Sequence, residues 1–376
     1  MQNLQAGLVG AGWMGGTLLK RLAERSDVDV LALCEPNGDR GGEALGCAGL
    51  PVSLLTGNYD DIISNPDIDA VWIASPNSAH APQALQAMRA GKHVFCEKPC
   101  ATKFSDFRAL IEAERANPDL ITYVDFILYF DSMESRLRQM VSDGVFGTVA
   151  QVQVNYRHPI NIAGDKVWKL SKETMGDAIA MGINHALSVM IYLMRSQTGP
   201  VGVLATSRPA QIRQFEEDPI WNILVKFDNG GAGFCFGNIE NSNGYDAYHN
   251  VLGSEGGFVF DSQLERTHKV RYWSARETAG KWVYPLDPDR CAREGRRDFA
   301  WPPDTTTPDS GDVVNHQTSE CVGHFIECVK SGTKSPLSFT NSAILSEIGW
   351  AARMSAATGK QIPLPLDYSA AAEFFD

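Results

Sequence analysis

Over the first 125 positions, short, mostly apolar runs alternate with stretches whose apolar residues recur every three or four places. The runs at 6–9, 28–34, 70–74 and 93–96 predict buried strands, and the stretches at 17–25, 59–63 and 81–90 predict helices, the last closed by Gly91. Strand and helix in alternation predict a parallel sheet with right-handed crossovers. After Tyr123 the pattern changes. Positions 130–144 predict one amphipathic helix, with Met133, Leu137, Met140 and Val141 on one face. Beyond it, period-two alternation marks strands at 148–156, 201–207, 221–227, 233–239, 247–252, 257–260 and 269–273. Turns such as Asp228-Asn229-Gly230-Gly231 separate them, so a large, mostly antiparallel sheet follows. Phe227, Phe234, Phe236, Tyr245 and Tyr248 along these strands are assigned to core or interface. Positions 285–310 read as a long loop, a cover over a site or an arm to a neighbouring subunit. Two closing helices are expected at 316–331 and 341–357. The fold class is therefore an α/β parallel-sheet domain over 1–123, followed by an α+β domain with an open antiparallel sheet over 124–376.

The first strand runs into Gly10-Ala11-Gly12-Trp13-Met14-Gly15, a GxGxxG loop after a strand and before a helix. Gly10 permits the tight turn, Gly12 lets backbone approach a pyrophosphate, and Gly15 lets helix and strand pack closely. The helix start then offers unpaired N–H groups and partial positive charge to phosphates. Glu35 ends the second strand, at a distance that suits a carboxylate on ribose hydroxyls. A carboxylate there repels a 2′-phosphate, which favours NAD, while nearby Arg40 keeps NADP open. A solvated residue at a strand end is the bland reading of Glu35. Gly10, Glu35, Ser75 and Lys98 all fall at carboxyl ends of strands, where such sheets bind ligands.

Composition narrows the picture. The 376 residues allow two or three domains. A net charge of −12 argues against a nucleic-acid partner. No apolar run approaches the roughly 18–20 residues that span a bilayer, and no signal peptide opens the chain, so a cytoplasmic location is expected. Eight scattered cysteines contain no CxxC, and no metal site is expected.

Val94-Phe95-Cys96-Glu97-Lys98-Pro99 delivers a carboxylate and an amine from a strand end, and Pro99 stiffens the support beneath Lys98. With GAGWMG, Glu35 and the 74–80 segment ASPNSAH, the run CEKPCA at 96–101 resembles the Gfo/Idh/MocA oxidoreductases. That resemblance implies cofactor contacts from Gly10, Gly12, Trp13, Met14, Gly15, Glu35, Ser75, Pro76, Asn77, His80, Glu97 and Lys98. A plain helix-entry role for His80 stands beside it. It also implies that Lys98 contacts the reacting hydroxyl or carbonyl, and that the second domain's sheet builds a homo-oligomer, a dimer or tetramer.

The second half-site departs from the resembled pattern. His185 is kept, but Met181 occupies the usual aspartate position. Positions 174–188 read as one helix, on which Asp177, Met181, Asn184, His185 and Ser188 share a face. Asp177 is thus either a displaced catalytic carboxylate or a helix cap. Tyr129 stands where many relatives have an arginine. It joins Arg157, Trp168 and Asn184 as a candidate substrate contact. The expected activity is hydride transfer between a sugar, sugar derivative or cyclitol and NAD. Lys98 and His185 are the acid/base and polarising groups, and Asp177 is the third catalytic candidate. An NAD-retaining glycoside-cleaving enzyme and a non-catalytic dinucleotide-binding regulator are the alternatives.

Overall fold

The computed structural model describes residues 3–212, 214–240, 244–309 and 317–376. Six strands form the first sheet: β1 (Leu4–Val9), β2 (Val28–Cys34), β3 (Leu55–Thr56), β4 (Ala70–Ile73), β5 (His93–Cys96) and β6 (Thr122–Val124). Their order is β3-β2-β1-β4-β5-β6, and every pair is parallel. Strands covered on both faces need apolar side chains throughout, which is why β4 is buried at all four positions. The order reverses between β2-β1 and β4, opening the crevice in which such sheets hold ligands.

The second sheet contains β7 (Val149–Arg157), β8 (Pro200–Arg208), β9 (Ile220–Phe227), β10 (Ala232–Asn238), β11 (Asp246–Gly253), β12 (Gly256–Asp261), β13 (Val270–Ser274) and β14 (Ile362–Pro363). Its order is β13-β12-β11-β7-β10-β9-β8-β14, antiparallel except for the parallel pair β7 and β10. Period-two alternation buries one face under the helices Asn184–Met194 and Ala343–Thr358. The other face is open, with Leu204, Phe236 and Leu252 exposed.

Three expectations change. The segment 174–188 is not one helix: it is a short turn, Lys172–Met175, a break at Gly176 (φ +85°), a wide π-type turn, Ile179–Ile183, and then the helix Asn184–Met194. By length and composition Lys172–Met194 could cross a membrane, contrary to the expectation that no run could, but almost all of it is buried inside the protein. The segment after Pro285 is neither a cover nor an outstretched arm but a strap on its own chain. It contains the helix Pro288–Arg293, buries Trp301 beside the rings of Phe258 and Tyr272, and ties Thr306 to Asp131 and Ser132. Ser310, the end of that segment, and His316, the expected start of the following helix, lie outside the described residues. That helix runs Thr318–Ser331 and returns to the first sheet, where Phe325 packs on Trp72 and Phe95.

Candidate active site

At the end of β1, Gly10 has φ +91°, and a Cβ there would lie 2.5 Å from the Ala74 carbonyl oxygen. A Cβ on Gly15 would lie 2.0 Å from the Gly10 oxygen, whereas the space beside Gly12 is open. The first and third glycines are thus required by chain crossing, and the second leaves a cradle. Gly12 precedes the helix Trp13–Ala23, whose first turn receives no side-chain cap and can hold an anion. Glu35 is not solvated: it is 7% exposed, and its oxygens accept the N–H groups of Ala11 and Asn37, each at 2.9 Å. A carboxylate oxygen has a further lone pair, so Glu35 can still accept ribose hydroxyls. The open cradle, uncapped helix start and buried carboxylate together fit a dinucleotide.

The segment after β4 locks onto the segment after β5. His80 lies buried between the carbonyl oxygens of Ser75 and Pro99, 2.7 Å from each. Burial holds its pKa below the ordinary value, so the neutral ring donates to one of the two. Ser75 Oγ donates to Gln83 at 2.6 Å, and Pro76 opens the helix Asn77–Arg89. Asn77 reaches across to the second domain, donating to the Met175 carbonyl at 2.8 Å and touching the Met181 sulfur at 3.8 Å.

Lys98 follows Glu97 at the end of β5, before a cis bond to Pro99. Its amine donates to the Met181 carbonyl at 2.6 Å. Burial lowers its pKa, while Glu97 and Asp125 oppose that shift. The acceptor lies in the wide turn Ile179–Ile183, a distortion that recurs at functional sites. The next residue after that turn is Asn184, whose Nδ2 donates to the Ala180 carbonyl at 2.9 Å and whose buried Oδ1 has no donor among the described residues. A buried acceptor with no donor is costly unless something supplies one, so Oδ1 is suited to a ligand hydroxyl. Buried His185 follows, its ring 5.8 Å from that of Tyr156.

Three comparisons with known proteins bear on this geometry. The family described as "Oxidoreductase family, NAD-binding Rossmann fold" matches residues 4–125, and the "GFO/IDH/MocA C-terminal domain" matches residues 135–259. The chain belongs to the Gfo/Idh/MocA oxidoreductase family. It is an NAD-binding enzyme. An inositol 2-dehydrogenase of Salmonella typhimurium is 29% identical over 263 residues, which are 68% of this chain and 73% of the relative. An inositol 2-dehydrogenase 3 of Saccharopolyspora erythraea is 26% identical over 258 residues, 68% of this chain and 72% of the relative. Levoglucosan dehydrogenase in complex with NADH and levoglucosan superimposes with a TM-score of 0.79 at 22% identity, over 97% of this chain and 100% of that one. At that identity the likeness shows the fold alone.

Among the Gfo/Idh/MocA site candidates, Lys98, Asn77 and Met181 meet directly, and Asn184 and His185 follow on the same turn and helix. Asp177 is engaged elsewhere: one carboxylate oxygen accepts the Ala180 N–H at 2.8 Å and the other pairs with Arg353. Arg157 lies on the open face of the sheet, its side chain 44% exposed and paired with Asp246 at 3.2 Å. Tyr129 packs under the Arg138 guanidinium, 4.3 Å away, and against Tyr192. The Trp168 carbonyl accepts the Thr174 hydroxyl at 2.6 Å. Sequence reasoning missed Tyr156 and Asp125, and assigned Tyr245 to core or interface. Tyr156 and Tyr245 form a ring cluster with His158 beside His185. The available signal was the alternation Val152-Val154-Tyr156, which points Tyr156 to the helix-covered face.

Proposed function

We propose that the protein is an NAD-dependent dehydrogenase or reductase acting on a CH–OH group of a sugar, sugar derivative or cyclitol. The observation that carries this reading is the desolvated Lys98 amine, past the carboxyl end of β5 in the sheet whose β1 ends in the glycine cradle, and bonded to the turn that precedes Asn184. The inositol dehydrogenases among its relatives support a polyhydroxylated ring as substrate. Bound NAD supplies the site for the hydride. Lys98, its pKa lowered by burial, takes the hydroxyl proton as the hydride leaves, or returns it in the reverse direction. Met181 supplies a fixed acceptor that aims the amine. Asn184 Oδ1 receives a second substrate hydroxyl. His185 donates to or accepts from the reacting oxygen, and Tyr156 and Tyr245 wall the site. We assign Asp177 to holding the wide turn, because both its oxygens are engaged.

Residues 1–123 form the dinucleotide unit in this reading, and 124–376 the substrate and assembly unit. The exposed Leu204, Phe236 and Leu252 on the open sheet face support homo-oligomer formation. Eight free thiols, seven of them buried, support a reducing, cytoplasmic setting.

The test is NADH formation over a panel of inositols, aldoses and anhydrosugars, with Lys98→Ala as control. Substrate-dependent NADH that is abolished in Lys98→Ala is expected. Undiminished NADH in that variant would overturn the assigned role of Lys98. Co-purified NAD with glycoside cleavage and no net NADH would replace the dehydrogenase reading with transient sugar oxidation.

A further inference from the structure

Behind Lys98 lie two carboxyl groups, Glu97 and Asp125, to which the proposed proton transfer gives no role. β5 and β6 run parallel with Cys96 opposite Val124, so Glu97 and Asp125 leave the sheet side by side. The Asp125 N–H donates to the Cys96 carbonyl at 2.9 Å, which fixes the pairing beyond the strand ends. Glu97 is 7% exposed and Asp125 1%. Among the described residues, the Lys98 N–H reaches Glu97 Oε2 at 3.2 Å, while Glu97 Oε1 and both Asp125 oxygens receive no N–H or hydroxyl donor, and Asp125 faces only the weakly donating Cys321 thiol. The titratable groups around the pair are Lys98 and Cys96 beside Glu97, Tyr123 from β6, and Cys321 from the helix Thr318–Ser331. His80 faces the backbone of the same segment. Lys98 is the one basic side chain among them that can counter a carboxylate.

Two ionised carboxylates enclosed together repel, and neither can donate to the other. One proton between them removes the repulsion and supplies the missing donor. Burial pushes both carboxyls above their ordinary range, and the neighbouring Asp125 pushes Glu97 further.

We propose that Glu97 and Asp125 share one proton at neutral pH and together carry a single negative charge beneath Lys98. Asp125 is then a positioning residue that acts on the Lys98 amine through Glu97. A single charge balances the ammonium formed when Lys98 takes the hydroxyl proton. Two charges would hold the amine protonated and stop it from acting as an acceptor. The role towards Lys98 rests on the proton transfer proposed above; the shared proton does not.

The experiment is infrared spectroscopy of the cofactor-free protein in H2O and D2O, on wild type, Asp125→Asn and Glu97→Gln. Wild type is expected to show a protonated-carboxyl C=O stretch that moves down in D2O. Each single variant is expected to lose it, since the remaining carboxyl ionises beside an amide donor. Buried Asp131, raised to about 7, contributes a band that stays in both variants. No such difference in either variant overturns the shared proton, and Glu97→Gln alone decides it if Asp125→Asn does not fold. The second readout is the pH profile of kcat/KM. Asp125→Asn keeps one charge and is expected to keep the acid limb. The double variant Glu97→Gln/Asp125→Asn removes the charge and is expected to move that limb about 1–3 pH units lower. A limb unmoved in the double variant overturns the action on Lys98. If Lys98→Ala retains turnover, the acid/base reading fails while the infrared result still stands or falls alone.

Discussion

In the parallel sheet, Gly10 follows β1, Glu35 follows β2, Ser75 comes two places after β4, Glu97 and Lys98 follow β5, and Asp125 follows β6. In the antiparallel sheet, a side chain from within a strand, Tyr156 of β7, lies beside His185, on the face that the helix Asn184–Met194 covers. The difference comes from how each sheet meets its backbone demands. A parallel sheet, covered on both faces, has free groups only past its strand ends. An antiparallel sheet can leave one face open, so its covered face takes the packing and its open face is free for another surface. Chemistry therefore concentrates in the loops of the first sheet, and shape in the second.

Four substitutions sharpen or break that contrast. Lys98→Ala removes the amine at a strand end, and kcat is expected to fall by about 10²–10⁴-fold with KM for NAD little changed, measured by steady-state kinetics. Arg353→Ala leaves the Asp177 carboxylate buried without its cation; the expected cost is about 3–5 kcal/mol in urea unfolding, with NAD affinity retained. An equal loss of NAD affinity would tie Asp177 to the cofactor and weaken its assignment to the turn. Gly15→Ala puts a methyl group against the Gly10 carbonyl, an overpacking cost of about 1–3 kcal/mol. Weaker NAD binding by fluorescence titration is expected with it. Arg157→Ala breaks an exposed pair on the open face, worth no more than about 1 kcal/mol, and kcat/KM is expected to stay as in wild type. Lost activity there would move the site to the open face and end the comparison.

Four strands of the first sheet were legible because doubly covered strands must be largely apolar, so 70–74 and 93–96 announce themselves, whereas β3 and β6 are too short to stand out in the pattern. The second sheet was legible from alternation, as in β9. The distorted segment before Asn184 was not. Residues 179–194 are buried almost all round, so they present no polar stripe whose drift would reveal a change from a regular to a wide turn. The engagement of Asp177 was hidden for a different reason: its cation, Arg353, is supplied by a helix near the far end of the chain. Glu97 and Asp125 come together through the register of β5 and β6, and the register of a parallel pair is not written in either strand alone. The strap after Pro285 was hard to read because its polar composition outweighed two aromatics, Phe299 and Trp301, which pack on Tyr272 and pin it down.

The anchor for Lys98 is a peptide carbonyl, although the resembled pattern puts an aspartate at that position. Every amino acid carries that group, so no codon change at position 181 can delete it. What the site inherits at this point is the path of the chain, set by Gly176, by the Asp177–Arg353 pair and by the wide turn. The aim of the amine is thus kept by the backbone path and its supports, Gly176 and the Asp177–Arg353 pair, and does not depend on which side chain stands at 181.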